Sequence, residues 1–288
     1  MNIKSFNNNN NKRFEKNLKN IRNQNKQNRV TSVRATRPIP DKPIVLNQID
    51  QIDQIDQTDQ IDQTDQIDQI DIRSIVVYTA ISNNYDELKE NSNFEKNGLD
   101  FVAFLDDPIE SETWEFRQIN SSFEDQNRNA KIHKVLSHLY FPDKEYSLWM
   151  DGSFSIKNIF SVEELIKTYL KDCDLAVFKH PRRNCVYEEA KTCIEKKLDD
   201  PIVILNQIEK YMEEGYSYLS GGLQECGIIL RRHTDQIKEF NENWWEEIKN
   251  GSKRDQISFP YVVKKMNLKI NYFTGFTAKN DFFHNHGH

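Results

Sequence analysis

The 288-residue chain reads as one α/β domain behind a low-complexity head. Three observations lead there. From about residue 72 onward, β-branched and aromatic runs of strand length alternate with stretches of helical apolar spacing, the pattern of a mostly parallel sheet flanked by helices. Two of these strands end on carboxylates, at Asp106-Asp107 and at Asp151, where open α/β sheets bind ligands. The first quarter of the chain, by contrast, has little to bury.

Residues 1–47 are rich in Asn, Lys and Arg, with eleven basic and two acidic side chains before residue 46. With few apolar groups and no interleaved aromatics, this segment is expected to be a disordered basic arm. Residues 48–71 repeat Gln-Ile/Thr-Asp eight times. A period of three winds the apolar stripe around a helix and alternates it between the faces of a strand, so neither form buries a continuous surface. Residues 48–72 are therefore expected to be a linker, and residues 73–288 the folded domain. The net charge of −6 leaves that domain acidic, which argues against nucleic acid as its main partner. Cys173, Cys185, Cys193 and Cys226 show no metal-ligand spacing, as expected of reduced thiols. No apolar run reaches the ~20 residues of a membrane span and no signal-peptide core is present, so a cytoplasmic location is expected.

Residues 74–81 and 100–105 are β-branched or aromatic runs and read as buried strands. Residues 129–140 have helical spacing that Pro142 stops. The apolar run at 146–150 is the next strand, and Gly152 lets the chain turn after Asp151. Ser161 and Glu164 form a capping-box pair that opens a helix. Residues 174–179 form a strand, 186–198 and 201–214 two helices, and 225–231 another strand. Residues 240–249 and 254–266 read as helices, the second bent or started by Pro260, and 268–273 as the last strand.

Asp151, at the end of a central strand, is placed to hold a divalent cation against phosphates, or to cap the following turn. Asp106 or Asp107 suits a hydrogen bond to a base or ribose. Arg128 and Lys131 lie three apart on one helix face and can reach the same phosphates. Lys179, His180, Arg182 and Arg183 crowd a strand end and form an anion-binding candidate. Tyr187 and Glu188 are either an acceptor wall or the first turn of a helix. Gly222, beside Gly221, permits close ligand approach or a tight turn. Trp244 is either core or a platform for a sugar's apolar face. Asp255 and Gln256 open a helix, where the acid is either a cap or, with Arg254 and Gln256, faces the crevice to position a sugar or act in catalysis. The tail residue His286 can offer an imidazole to a metal.

Several motifs taken together resemble the plant mucilage-related hexosyltransferase-like family. They are Tyr78-Thr79-Ala80-Ile81 with Asn84-Tyr85-Asp86, Trp149-Met150-Asp151-Gly152-Ser153, Lys179-His180-Pro181-Arg182, Cys185-Val186-Tyr187-Glu188-Glu189-Ala190, Phe240-Asn241-Glu242-Asn243-Trp244-Trp245 and Arg254-Asp255-Gln256-Ile257. The resemblance spans about residues 74–275. It implies a GT-A type glycosyltransferase fold, a Rossmann-like sheet that binds a nucleotide-sugar donor and usually Mn²⁺ or Mg²⁺. It also implies that Asp151 is the metal-binding acid, that Asp106 or Asp107 contacts the nucleotide, and that Arg128 and Lys131 hold the diphosphate. Asp255 would face the sugar, and Asp255 or Glu188 would orient or deprotonate the hydroxyl of a glycan, protein or small-molecule acceptor. The second Asp of a DxD motif is replaced by Ser153. That departure keeps two other readings open, a non-catalytic nucleotide-sugar or glycan-binding module and another nucleotide-dependent transferase.

Overall fold

A computed structural model describes residues 70–91, 98–119, 121–157, 161–217, 220 and 222–287, and Lys16 alone before them. The expected arm and nearly all of the triplet repeat lie outside the described residues. The last two residues of the repeat are described: Ile70 packs against the core, and the Asp71 carboxylate accepts from Arg73 N at 3.0 Å to cap a 3-10 turn, Ile72–Ser74.

The main sheet is built from β1 (Ile75–Ile81), β2 (Asp100–Leu105), β3 (Glu115–Gln118), β4 (Tyr146–Met150), β6 (Leu175–Lys179), β7 (Gln224–Arg232) and β8 (Asn271–Tyr272). The strand order is β3-β2-β1-β4-β7-β6-β8. Among these strands β7 alone runs against its neighbours, so the mostly parallel α/β sheet is as expected. A second sheet pairs β5 (Phe154–Ile156) with β9 (Phe283–Asn285).

The strands are buried on both faces, which is why they read as continuous apolar runs. Along β1, Val76, Tyr78 and Ala80 enter one core while Ile75, Val77 and Ile81 enter the other, the period of two that a pleated strand imposes. The first core lies beneath α1 (Gln126–Val135), α4 (Val186–Glu195), α5 (Pro201–Glu213), α6 (Asp235–Asn250) and α7 (Asp255–Lys265). The second is covered by α3 (Val162–Tyr169) and the small sheet. The α3 capping box forms as expected, with Ser161 Oγ accepting from Glu164 N at 3.2 Å and Glu164 Oε2 from Ser161 N at 2.8 Å.

Three differences from the sequence reading have physical causes. The helix expected at 129–140 starts earlier, capped by Asp125, and breaks at Leu136 before a short turn α2, Ser137–Tyr140. At the break, the Lys134 carbonyl accepts from Tyr78 Oη at 2.8 Å and from Arg231 Nη1 at 2.9 Å. The strand expected at 268–273 shrinks to two residues on the sheet edge. Strands β3, β5 and β9 are too short, and β3 too polar, to show a periodic signal. Pro260 is accommodated inside α7. Among the described residues no helix is long and apolar enough to cross a membrane.

Candidate active site

Strand order reverses direction about β1, with β2 on one side and β4 on the other. At such a switch point the loops leave in opposite directions and open a crevice at the carboxyl ends of the strands. Here that crevice is a cleft of about 400 Å³. Its walls come from the ends of β1 and β4, the start of β7, the exposed side of α1 and the first turn of α7.

Asp151 follows β4 directly. Its backbone N donates to Gly227 O at 2.8 Å and its carbonyl accepts from Phe154 N at 3.0 Å. Oδ1 accepts from Trp149 Nε1 at 2.8 Å and from Lys134 Nζ at 3.1 Å. Gly152 is required by a close approach rather than by an unusual turn, since a Cβ there would run into the Ile81 side chain. Gly227 lets β7 pass the acid, because a Cβ there would lie 3.3 Å from Asp151 Oδ2.

Across the floor stands Asp255, 4% exposed. Its Oδ2 lies 2.8 Å from Lys134 Nζ and 3.0 Å from Lys131 Nζ. Lys131 and Lys134 are three residues apart on α1 and share a face. Lys134 bridges Asp151 and Asp255, and its ammonium also lies 5.2 Å from the Trp149 ring centre. Burial alone would lower the pKa of Lys134, but the two carboxylates outweigh it and raise it above the usual lysine value. Asp255 shows the converse: burial pushes its pKa up, and Lys131, Lys134 and Arg254 hold it far below the usual range. Lys134 and Asp255 thus favour each other's charged forms, while burial lowers the pKa of Lys131 against the pull of Asp255. Glu225 also lines the cleft. It accepts from Thr277 Oγ1 at 2.5 Å, and burial raises its pKa.

Arg231 fixes the end of α1 from beneath. Its guanidinium is fully buried and donates to the Lys134 carbonyl, to Tyr78 Oη at 3.1 Å and to Ser137 Oγ at 3.0 Å. A cation beneath a helix C-terminus is electrostatically favourable, and here it sets the turn from which Lys134 projects.

The structure brings Asp151, Lys131, Asp255 and Gln256 together and leaves the other expected residues elsewhere. Gln256 lines the cleft while its Nε2 donates to Gln224 O at 3.0 Å. Arg128 points away: its guanidinium is held by Asp125 Oδ2 at 2.6 Å and Gly251 O at 2.7 Å, tying α1 to the end of α6. Asp106 accepts from Asn83 N and braces the loop after β1, and Asp107 is exposed outside the cleft. His180 is no cation: Nδ1 accepts from Arg182 N at 3.1 Å and Arg183 N at 2.9 Å, and burial beside Arg183 lowers its pKa. Arg182 is exposed and outside the cleft lining, though its charge is felt at Glu225. Tyr187 is fully buried, gives its hydroxyl to Tyr216 O, and cannot contact an acceptor as it stands. Glu188 is half-buried in the first turn of α4, outside the lining. Trp244 is fully buried, so the sugar-platform reading gives way to core packing against Phe259. Its Nε1 donates to Asp255 O at 3.3 Å. Gly222 adopts φ +72° in the loop before β7, outside the lining, so its role is the turn. Asp255 serves as an anchor for two ammonium groups, and a carboxyl held that far down is a poor base.

Sequence reasoning missed Lys134, Tyr85 and Glu225. Spacing of three from Lys131 was the available signal for Lys134. Tyr85 is 67% exposed and lines the mouth of the cleft with Asp86.

The residues present do not fit a divalent cation. Such an ion takes several oxygen ligands. Asp151 has one oxygen already occupied by an indole N–H and an ammonium, and Ser153 is buried. His286 is turned aside, its Nε2 2.8 Å from Ser155 Oγ. Among the described residues no three His, Cys, Asp or Glu side chains are grouped to hold a metal ion. An ion at Asp151 would also have to sit beside the Lys134 ammonium, which already takes up part of the attraction of both carboxylates.

Comparison with known proteins adds relatives to this geometry. The chain is 29% identical over 227 residues to an Arabidopsis thaliana protein described as "Probable hexosyltransferase MUCI70", covering 69% of this chain and 39% of that one. It is 25% identical over 232 residues to "Alkaline ceramidase TOD1" of the same plant, covering 68% and 49%. The chain thus spans less than half the length of either relative. Among solved structures, core-mannan synthase A of Aspergillus fumigatus in its Mn/GDP form aligns with a TM-score of 0.40 at 8% identity, over 66% of this chain and 69% of that one. The stretch that carries Lys131, Lys134, Asp151 and Asp255 lies wholly within a match to the TOD1/MUCI70, glycosyltransferase-like domain over residues 112–288, more than half of the chain, and the chain belongs to that family.

Proposed function

We propose that the cleft transfers a hexose from a nucleotide-sugar to an acceptor hydroxyl. The observation that carries this reading is the convergence of Lys131 and Lys134 at the carboxyl ends of β1 and β4, where a diphosphate would be neutralised on leaving. In the transfer the bond from the anomeric carbon to the diphosphate breaks, and its electron pair goes to the nucleoside diphosphate. The acceptor oxygen bonds to the anomeric carbon and releases its proton to water at the cleft mouth. Asp151, about one-third exposed through its side chain, offers its free Oδ2 to a sugar hydroxyl. Tyr85 at the lip presents an aromatic face to a nucleobase. Asp255 holds both ammonium groups in place and takes no proton.

One relative's name favours a second reading, hydrolysis of an amide-linked lipid. Incubating the full chain separately with UDP-hexoses, GDP-hexoses and ceramide distinguishes them. Release of UDP or GDP from a sugar donor is the expected result. Release of pyrophosphate would point to nucleotidyl transfer, and release of fatty acid from ceramide with intact donors would point to the hydrolase.

A further inference from the structure

We infer that the Lys134 ammonium occupies the place of a catalytic metal ion, so that donor binding and departure of the diphosphate need no divalent cation. The inference rests on the nucleotide-sugar reading and deepens it.

The geometry points there in three ways. First, Lys134 Nζ lies between the strand-end carboxylate Asp151 and the opposing carboxylate Asp255, at 3.1 and 2.8 Å. A positive centre bridging two acids at the carboxyl end of a sheet is what a bound cation supplies in such a site. Second, that centre is preorganised. Lys134 is 3% exposed, its ammonium lies against the Trp149 ring, and the carbonyl of the same residue is held by Arg231 and Tyr78. A fixed charge in a partly dry cleft needs no reorganisation as negative charge develops. Third, the charges suit an anion. Lys131, Lys134 and Arg254 surround Asp255, and Asp151 is the second acid beside Lys134. Around Asp255 the cations therefore outnumber the acids, and Lys131 and Lys134 give that end of the cleft a local positive face for phosphate, while Asp86 and Glu225 are the other carboxylates of the lining.

Asp86 and Glu225 also line the cleft and would favour a cation if they reached the same point. Glu225 is instead engaged by Thr277.

Calorimetric titration of the full chain with UDP and GDP, in EDTA and as preformed Mn²⁺ complexes, tests the inference on wild type, Lys134→Met and Lys134→Arg. Wild type should bind one nucleotide with affinities that agree within about twofold between the two buffers. Lys134→Met should lose at least about tenfold in EDTA, and Lys134→Arg should keep most of the binding. A wild type that binds only with Mn²⁺, or tightens more than about tenfold with it, overturns the inference and leaves the nucleotide-sugar reading standing. Lys134→Met binding like wild type in EDTA overturns it equally. Binding of neither nucleotide in either buffer sinks the nucleotide-sugar reading and the inference with it. The wild-type comparison needs no variant, so a Lys134→Met protein that fails to fold, seen by thermal melting, does not block the decision.

Discussion

Two clusters of basic residues lie at strand ends of this domain, and they differ in what their charges face. Lys179, His180, Arg182 and Arg183 fall within five consecutive positions. In the fold that run disperses. Lys179 lies over the Tyr272 ring at 4.6 Å, His180 accepts backbone N–H groups, and Arg183 pairs with buried Glu189 at 2.6 Å. Lys131 and Lys134 are only two residues, yet both ammonium groups converge on one carboxylate inside a cleft. Adjacency in a loop spreads side chains, whereas a spacing of three on a helix aims them together.

The sharpest way to break this contrast is to remove the carboxylate at the centre of each cluster. Asp255→Asn leaves two buried ammonium groups with one fewer acid, a change that costs roughly 3–5 kcal/mol. Glu189→Gln should cost less, because Arg183 is 25% exposed through its side chain and regains water when its partner is lost. Urea unfolding of both variants checks the order, and equal losses would mean that the cleft cluster is not the more desolvated of the two.

The helix that carries the lysines is pinned to the sheet by His133, which stacks on Phe104 at 4.1 Å between centroids. Burial brings its pKa down to about 4. The native pKa lies below the unfolded value of about 6.5, so the unfolded state takes the proton first. Stability therefore falls as pH drops through 6.5 and levels off below about 4. Between pH 6.5 and 5 the loss from this group is about 2 kcal/mol. His233, also brought to about 4 by burial and by Arg231, adds a loss of the same sign. Chemical denaturation across that range should show the slope, and His133→Phe should remove the His133 share. An unchanged slope in that variant would place the proton uptake elsewhere.

Most of the sheet was legible because β1, β2, β4, β6 and β7 are buried on both faces and their composition leaves no other assignment. Asp151 was legible because strand end, acid and glycine are adjacent in the sequence. Lys134 was not, since nothing local distinguishes it from Arg128: each lies three residues from Lys131. Their difference is tertiary. Arg128 finds the last carbonyls of α6, and Lys134 finds two acids delivered by β4 and α7. Tyr187 and Trp244 were misplaced for a related reason. An amphipathic aromatic on a helix suits a core or a ligand equally well until the neighbouring helix is known, and here α5 and α7 cover both.

The smallest expected effect makes the most direct comparison. Lys179 and Arg182 belong to the conspicuous run and lie outside the cleft. Replacing both by Ala should leave nucleotide affinity within about twofold of wild type, while Lys131→Met should weaken it by about tenfold. The two variants change surface charge in the same direction, so a long-range electrostatic effect would weaken binding in both and fade with salt. A local grip would weaken only Lys131→Met and survive in moderate salt. Titration at two ionic strengths separates these cases. If the Lys179/Arg182 variant proves the weaker binder, the ligand sits at the 179–183 loop and the cleft cluster is a structural ion network.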